Sequence, residues 1–308
     1  MKKILIILLF LFPVFLSALS VPQWEQDVDT TQKAVNGIKN IFASIISDTF
    51  APMTGYRQGE WQVTGVPAWF EVEKVYQDPA WEGKGLSGWG FGLGFGYAFT
   101  DSLMAYGIFS HMQLSGKVQS ESLLVDTDYS LENLLAGAGY DFLKDNPVFS
   151  FPVYGGLVFQ YYNTNLSLPP DTYSTGLGSG SIDSSINGNG LLFGVSLGAA
   201  FSVQYRGFRL MPYFFMYRTL NNAELTAEGT ASVSGMDYSV THSYSVSEIG
   251  ASMFGLVFGF QPTDKLEISL SLGGILSSSA GFYNDYFLDG LRMKTIALVL
   301  TYRGNLTE

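Results

Sequence analysis

Between Trp89 and Phe99 the chain reads Trp-Gly-Phe-Gly-Leu-Gly-Phe-Gly-Tyr-Ala-Phe, with a large apolar residue at each odd position and Gly or Ala at each even one. A strand sends alternate side chains to opposite faces, so this stretch has one face of aromatics and one of nearly bare backbone. A helix would scatter the aromatics around its circumference and place Gly throughout its interior, which helices resist. A soluble sandwich would need a polar outer face, and neither face here is polar. The pattern suits a wall with hydrocarbon on one side and a crowded interior on the other.

Composition supports a membrane wall built from strands. Of 308 residues, 47% are hydrophobic and 14% charged, against roughly 25% charged in soluble domains. After residue 20 no stretch reaches the ~18–20 consecutive apolar residues of a spanning helix. The formal charge of −11 and the lack of a basic patch argue against nucleic acid as a partner. Cysteine is absent, which excludes disulfides, thiol catalysis, Cys-based metal sites and a lipidated N-terminal cysteine.

Met1-Lys2-Lys3 followed by the apolar run Ile4–Leu16 and by Ala18-Leu19-Ser20 reads as a secretory signal, residues 1–20, cleaved before Val21. Residues 21–58 form an N-terminal segment. Within it Val28, Val35, Ile38, Ile41, Phe42, Ile45 and Ile46 recur at helical spacing, which predicts an amphipathic helix over Asp27–Ser47. The bare Gly face of the 89–99 strand suggests an underfilled interior, and this helix is expected to pack into or across the periplasmic end of the lumen. Lying on a membrane surface is the competing role for it.

Residues 59–308 read as the barrel. Strand patterns fall at 60–75, 87–100, 102–119, 129–143, 149–167, 190–206, 208–222, 243–261, 265–280 and 291–303, with Pro67 interrupting the first. Connections after the even-numbered segments are short: Thr100–Ser102, Lys144–Pro147, Arg206-Gly207 and Pro262–Asp264. Those after the odd-numbered ones are longer: Gln77–Leu86, Ser120–Asp128, Leu168–Asn189, Asn222–Thr241 and Gly281–Gly290. Short turns in the periplasm and long loops outside give this alternation, and place both termini in the periplasm. The expected fold is all-β, a transmembrane antiparallel up-and-down barrel of about ten strands with an N-terminal amphipathic helix.

The lipid face is expected to include Met104, Tyr106, Ile108 and Met112, then Leu157, Phe159 and Tyr161, then Leu191, Phe193, Val195, Leu197, Phe201 and Val203. Phe254–Phe260, Leu266–Leu272 and Ile296–Tyr302 continue it on alternate residues. His111, Gln113, Gln160 and Arg218 are the lumen-facing candidates. Arg209 and Glu267 are assigned to strand ends, where a lipid-exposed wall tolerates charge.

The signal sequence, the ten alternating segments, the aromatic edges and the last segment Lys294-Thr295-Ile296-Ala297-Leu298-Val299-Leu300-Thr301-Tyr302 resemble bacterial outer-membrane β-barrels in general. The resemblance covers most of the mature chain and rests on pattern, with no motif of one family. It implies a cell outer-membrane location, a multi-pass topology, contact with outer-membrane lipid, and insertion by the outer-membrane assembly machinery. Such barrels end on an aromatic residue read during assembly. Tyr302 matches it in type, but Arg303–Glu308 follow.

Chemistry is sparse. The two histidines, His111 and His242, lie on separate strands. Asp126, Asp128, Asp237 and His242 echo the rim residues of omptin-type barrel proteases, but Asp237 precedes His242 by five positions and the Asp-x-His spacing is missing. That protease is the remote alternative, and no enzymatic activity, cofactor or metal is expected. Gly92, Gly94 and Gly96 lie inside a strand with no helix after them, so they form no nucleotide fingerprint. Ser174–Gly190 has the composition of a flexible loop. The charge-poor interior suggests a narrow channel or carrier for small solutes. Acidic Ser/Thr/Gly-rich loops suggest the alternative, an adhesin-like surface-binding or structural barrel with external ligands.

Overall fold

The computed structural model describes residues 57–76, 81–120, 123–144, 146, 148–175, 178–233, 236–246, 250–277 and 292–305. The expected signal sequence and the Asp27–Ser47 helix lie outside the described residues. In chain order the strands are β1 (Glu60–Tyr76), β2 (Trp81–Ala98), β3 (Leu103–Ser120), β4 (Leu123–Asp141), β5 (Phe149–Ser150), β6 (Pro152–Thr175) and β7 (Gly178–Ala200). They continue as β8 (Ser202–Tyr205), β9 (Phe208–Thr219), β10 (Ala223–Val233), β11 (Met236–Val246), β12 (Gly250–Phe260), β13 (Leu266–Ser277) and β14 (Arg292–Asn305).

All pairings are antiparallel, and β1 pairs with both β2 and β14, which closes the sheet. Several strands are pieces of one wall strand. β7 pairs Gly194 with Thr219 of β9 and Asn187 with Thr226 of β10, so the ladder crosses Leu220–Asn222 without gaining or losing a residue. At that break the Asn221 side chain stands in for the ladder: Phe193 N–H donates to its Oδ1 at 2.8 Å and its Nδ2 donates to Leu191 O at 2.9 Å. β11 lies beside β10 and β12 beside β9. With β5 joined to β6, β7 to β8, β9 to β10 and β11 to β12, the result is a closed antiparallel ten-strand barrel.

The short turns gather at one end and are tied by side-chain caps. Thr100 Oγ1 accepts from Leu103 N–H at 2.9 Å, Asn146 Oδ1 from Val148 N–H at 2.9 Å, and Thr263 Oγ1 from Leu266 N–H at 3.0 Å. Arg206 and Gly207 have φ of 50° and 80°, the left-handed pair of a two-residue hairpin whose twist matches its strands. Pro67 does not end β1. It faces Phe91 of β2, and the ladder to β14 passes from Gly65 to Ala68 around it.

At the opposite end the segments expected as loops are strands. β3 and β4 run on to Ser120 and Leu123, β6 and β7 to Thr175 and Gly178, and β10–β11 replaces the expected Asn222–Thr241 loop. The flexible loop expected at Ser174–Gly190 is largely β7, paired on one side with β6 and on the other with β10. Main-chain hydrogen bonds hold these extensions, so they need no apolar alternation to persist.

The face assignment holds for β2, β6, β7, β12, β13 and β14, where Phe95, Leu157, Leu197, Phe258, Leu270 and Leu298 are exposed on the outer wall. It is reversed for β3. Met104, Tyr106, Ile108 and Met112 are buried inside, while Phe109 faces outward. The partner strand explains the reversal: inside, Gly90 faces Met112, Gly94 faces Ile108 and Gly96 faces Tyr106, whereas outside Phe95 faces Gly107 and Tyr97 faces Ala105. Large residues on one strand fill the space left by small ones on the other, which is how a close-packed wall conserves contact. The void inferred from the Gly face is therefore occupied by neighbouring strands.

Candidate functional surfaces

The interior is lined by packed side chains. Tyr106, Tyr129, Tyr154, Tyr162, Tyr213 and Tyr217 point inward among Leu, Met, Val and Phe residues in one continuous buried cluster. Polar groups pair within it. Gln160 Nε2 donates to Asn133 Oδ1 at 2.8 Å, and Asn133 Nδ2 donates to Ser110 Oγ at 3.1 Å. Tyr162 O–H donates to Glu224 O at 3.1 Å and accepts from Glu224 N–H at 2.9 Å, which ties β6 to β10 across β7.

Near the short-turn end an ionic cluster is buried in the lumen. The Glu267 carboxylate on β13 meets Arg209 of β9 and, at 3.3 Å, Arg303 of β14. It also accepts from Ser269 Oγ at 2.7 Å and from Gln261 Nε2 at 3.1 Å. The Glu267 side chain is 1% exposed and that of Arg209 3%, so these charges are interior groups and not the strand-end surface charges expected from sequence. β12 lies between β9 and β13, and Gly259 supplies the passage: a Cβ there would stand 2.7 Å from Glu267 Oε1 and 2.9 Å from Ser269 Oγ. Alternation carried the signal, because Leu210 and Ile268 face outward and their neighbours must face in.

Among the four lumen-facing candidates, Gln160 lies inside and fully buried, whereas His111, Gln113 and Arg218 are on the outer face. For His111 and Gln113 the cause is the reversed parity of β3. For Arg218 it is the alternation of β9, in which Tyr217 and Thr219 point inward. The His111 ring packs 5.9 Å from Trp89 and 5.7 Å from Phe91, and its Nδ1 is 3.7 Å from Glu132.

The residues with a protease echo are not brought together. Asp126 and Asp128 sit on β4, not in a loop, and Asp126 pairs with Lys117 at 3.1 Å. Asp237 and His242 belong to β11, separated from β4 in the sheet by β6, β7 and β10. Among the described residues no group of three His, Asp or Glu could hold a metal ion.

The outer wall is graded in cross-strand rows. Leu93, Phe109, Leu134, Phe159 and Phe193 form an apolar row, and the next row toward the tall end is mixed: Phe91, His111, Glu132, Tyr161 and Leu191. Beyond it come Trp89, Gln113, Ser130, Asn163 and Asn189, polar after the first. At the short-turn end, aromatic residues form the edge: Tyr97 with Phe99, Tyr140 with Phe142, Phe149 with Phe201 and Phe208 with Phe260. An apolar band edged by aromatic residues around a closed antiparallel sheet defines a transmembrane β-barrel of the bacterial outer-membrane type.

Solved structures similar to the chain include the attachment invasion locus protein Ail of Yersinia pestis, with 15% identity over 80% of this chain and 99% of that one, and a TM-score of 0.32. OprG of Pseudomonas aeruginosa shares 11% over 82% and 98%, with a TM-score of 0.36. The transport unit of the autotransporter AIDA-I of Escherichia coli shares 11% over 86% and 96%, with a TM-score of 0.42. No protein-family model matches the chain, and no curated protein is detectably similar to it in sequence.

Proposed function

We propose that this protein is a surface-binding barrel that works through the sheet rising from its tall end, and that it is neither an open channel nor an enzyme. The observation that carries this reading is strand length. β6 has 24 residues and β7 has 23, whereas about 9–11 span a membrane, so roughly half of each stands beyond the bilayer. The filled interior supports the same reading, since a solute would have to displace packed side chains and pass the Glu267 cluster.

In this proposal the short turns and both termini lie in the periplasm and the tall end faces outward. Residues 1–20 are the secretory signal, and residues 21–58 precede the barrel as a separate segment. Contact with outer-membrane lipid follows from the wall, and delivery by the assembly machinery is part of the same proposal.

Removing residues 223–246 takes away β10 and β11 and leaves the β9–β12 pairing that closes the wall. Cells displaying this variant should lose binding to arrays of glycans and matrix proteins that capture the wild type. Both proteins, reconstituted in liposomes, should leave the permeability to small solutes unchanged. Rapid solute entry through the wild-type barrel would replace this reading with the channel or carrier expected from the charge-poor interior.

A further inference from the structure

β11 is a tall strand with an open side. It pairs with β10 along its whole length, from Val246 facing Ala223 to Met236 facing Val233, and it stands last in the order of the sheet. Below it β12 continues the same wall strand and is flanked on both sides, by β9 and by β13. Among the described residues nothing pairs with the other side of β11. The chain's own length does not cover it. β13 is level with Ser252 at Ser277, and the chain is back in the wall at Arg292. At ~3.3 Å per residue the intervening stretch climbs no higher than about Ser245, which leaves Met236–Tyr244 beyond its reach.

An uncovered strand edge is a row of main-chain donors and acceptors, and folded proteins blunt such edges with proline, lysine, a bulge or a short strand. β11 uses none of these. Its 11 residues contain no proline and no lysine, and its ladder to β10 runs without a register shift. The tall parts of β1–β2, β2–β3 and β6–β7 do shift register, at Glu71–Lys74, Lys84–Ser87 and Leu168–Asp171. We propose that β11 takes up an extended, basic polypeptide segment as a further strand of the sheet. Main-chain hydrogen bonding makes the occupant a polypeptide, and the outer face gives its charge. Ser239, Thr241, Ser243 and Ser245 are short and exposed, and Glu228 and Glu224 of β10, also exposed, stand opposite Thr241 and Ser245. A Lys or Arg on the added strand, two strand spacings or ~10 Å from those carboxylates, reaches them across the hydroxyls. A second copy is a poor occupant. Two barrels upright in one membrane hold their β11 strands in the same direction, whereas the ladders of this sheet are antiparallel.

The inference rests on the surface-binding reading and names the partner of that same sheet. The full-length barrel in detergent is titrated with a fluorescent peptide of alternating Lys and Thr, as long as β11, and with a counterpart in which Pro replaces alternate Thr. Proline lacks the N–H and cannot keep its place in a ladder although the charge is equal, so the uninterrupted peptide should bind roughly tenfold more tightly. Hydrogen exchange followed by NMR should show that the amides of Met236–Val246 facing away from β10 exchange freely in the barrel alone and are slowed by the peptide. Glu224→Gln with Glu228→Gln should weaken the peptide roughly threefold. Equal affinity for the two peptides, unchanged affinity in that folded variant, or amides already slow in the barrel alone because the chain or a second copy covers the edge, would overturn the proposal. Loss of array binding on removing residues 223–246 would then leave the surface-binding reading standing, whereas array binding that survives the removal would overturn that reading itself.

Discussion

Glu267 shows how much one inward position decides. Its carboxylate, itself buried, accepts from groups on three strands and from a residue of the adjacent short turn. Removing one partner of a buried ion pair costs more than the pair is worth, because the charge left behind cannot be rehydrated. Glu267→Ala should destabilise the refolded barrel by about 3–5 kcal/mol in urea titration. Ser269→Ala, which removes one hydrogen bond to the same carboxylate, should cost about 1.5–3 kcal/mol. A loss from Glu267→Ala no larger than that from Ser269→Ala would mean the ion pairs add nothing beyond that one hydrogen bond. The sequence contained the parity that places Glu267 inside. The usual rule that charges sit at strand ends hid it.

The same scale explains β3. Met104, Tyr106, Ile108 and Met112 look like a lipid face when β3 is read alone, because both of its faces carry apolar residues. Only the partner strand resolves the choice, since bulky residues go where β2 presents glycine. Phe109, not Ile108, faces the bilayer. Phe109→Arg should block folding into lipid vesicles, with a cost of roughly 2–4 kcal/mol for a charge near the midplane. Gln113→Arg, in the polar rows, should fold normally. Normal folding of Phe109→Arg together with a block from Ile108→Arg would restore the reading from β3 alone.

At the level of elements, every short turn was legible, because Asp, Asn, Thr, Pro and Gly between two alternating runs have few other uses. Arg206-Gly207 is the most constrained of them. With φ at 80°, Gly207 sits where a β-branched residue is strained, and Gly207→Val should slow hairpin closure and lower the folded yield in vesicles. Unchanged yield would show that the turn follows its strands and does not guide them. The tall extensions of β6, β7, β10 and β11 were not legible. Their residues are Ser, Thr, Asn and Gly, which composition assigns to loops, yet strand pairing is a property of backbone and register. Alternation survives faintly in β10, where Ala223 and Leu225 face inward and Glu224 and Glu228 face out.

For the molecule as a whole, ten strands, closure and a lipid-facing band were readable from periodicity, and the packing of the interior was not. Filling depends on which strand faces which, and one chain read in order does not reveal that. The central claim is that the tall polar sheet stands outside the cell while the short turns face the periplasm. The chain has no cysteine, so single introduced thiols report without background. Cysteines placed at Thr241 on β11 and at Asp264 in a short turn occupy exposed positions at opposite ends of the barrel. In intact cells, a membrane-impermeant maleimide should label the Thr241→Cys protein and leave Asp264→Cys unlabelled until the outer membrane is opened. Labelling of Asp264→Cys alone in intact cells would invert the barrel and contradict this account.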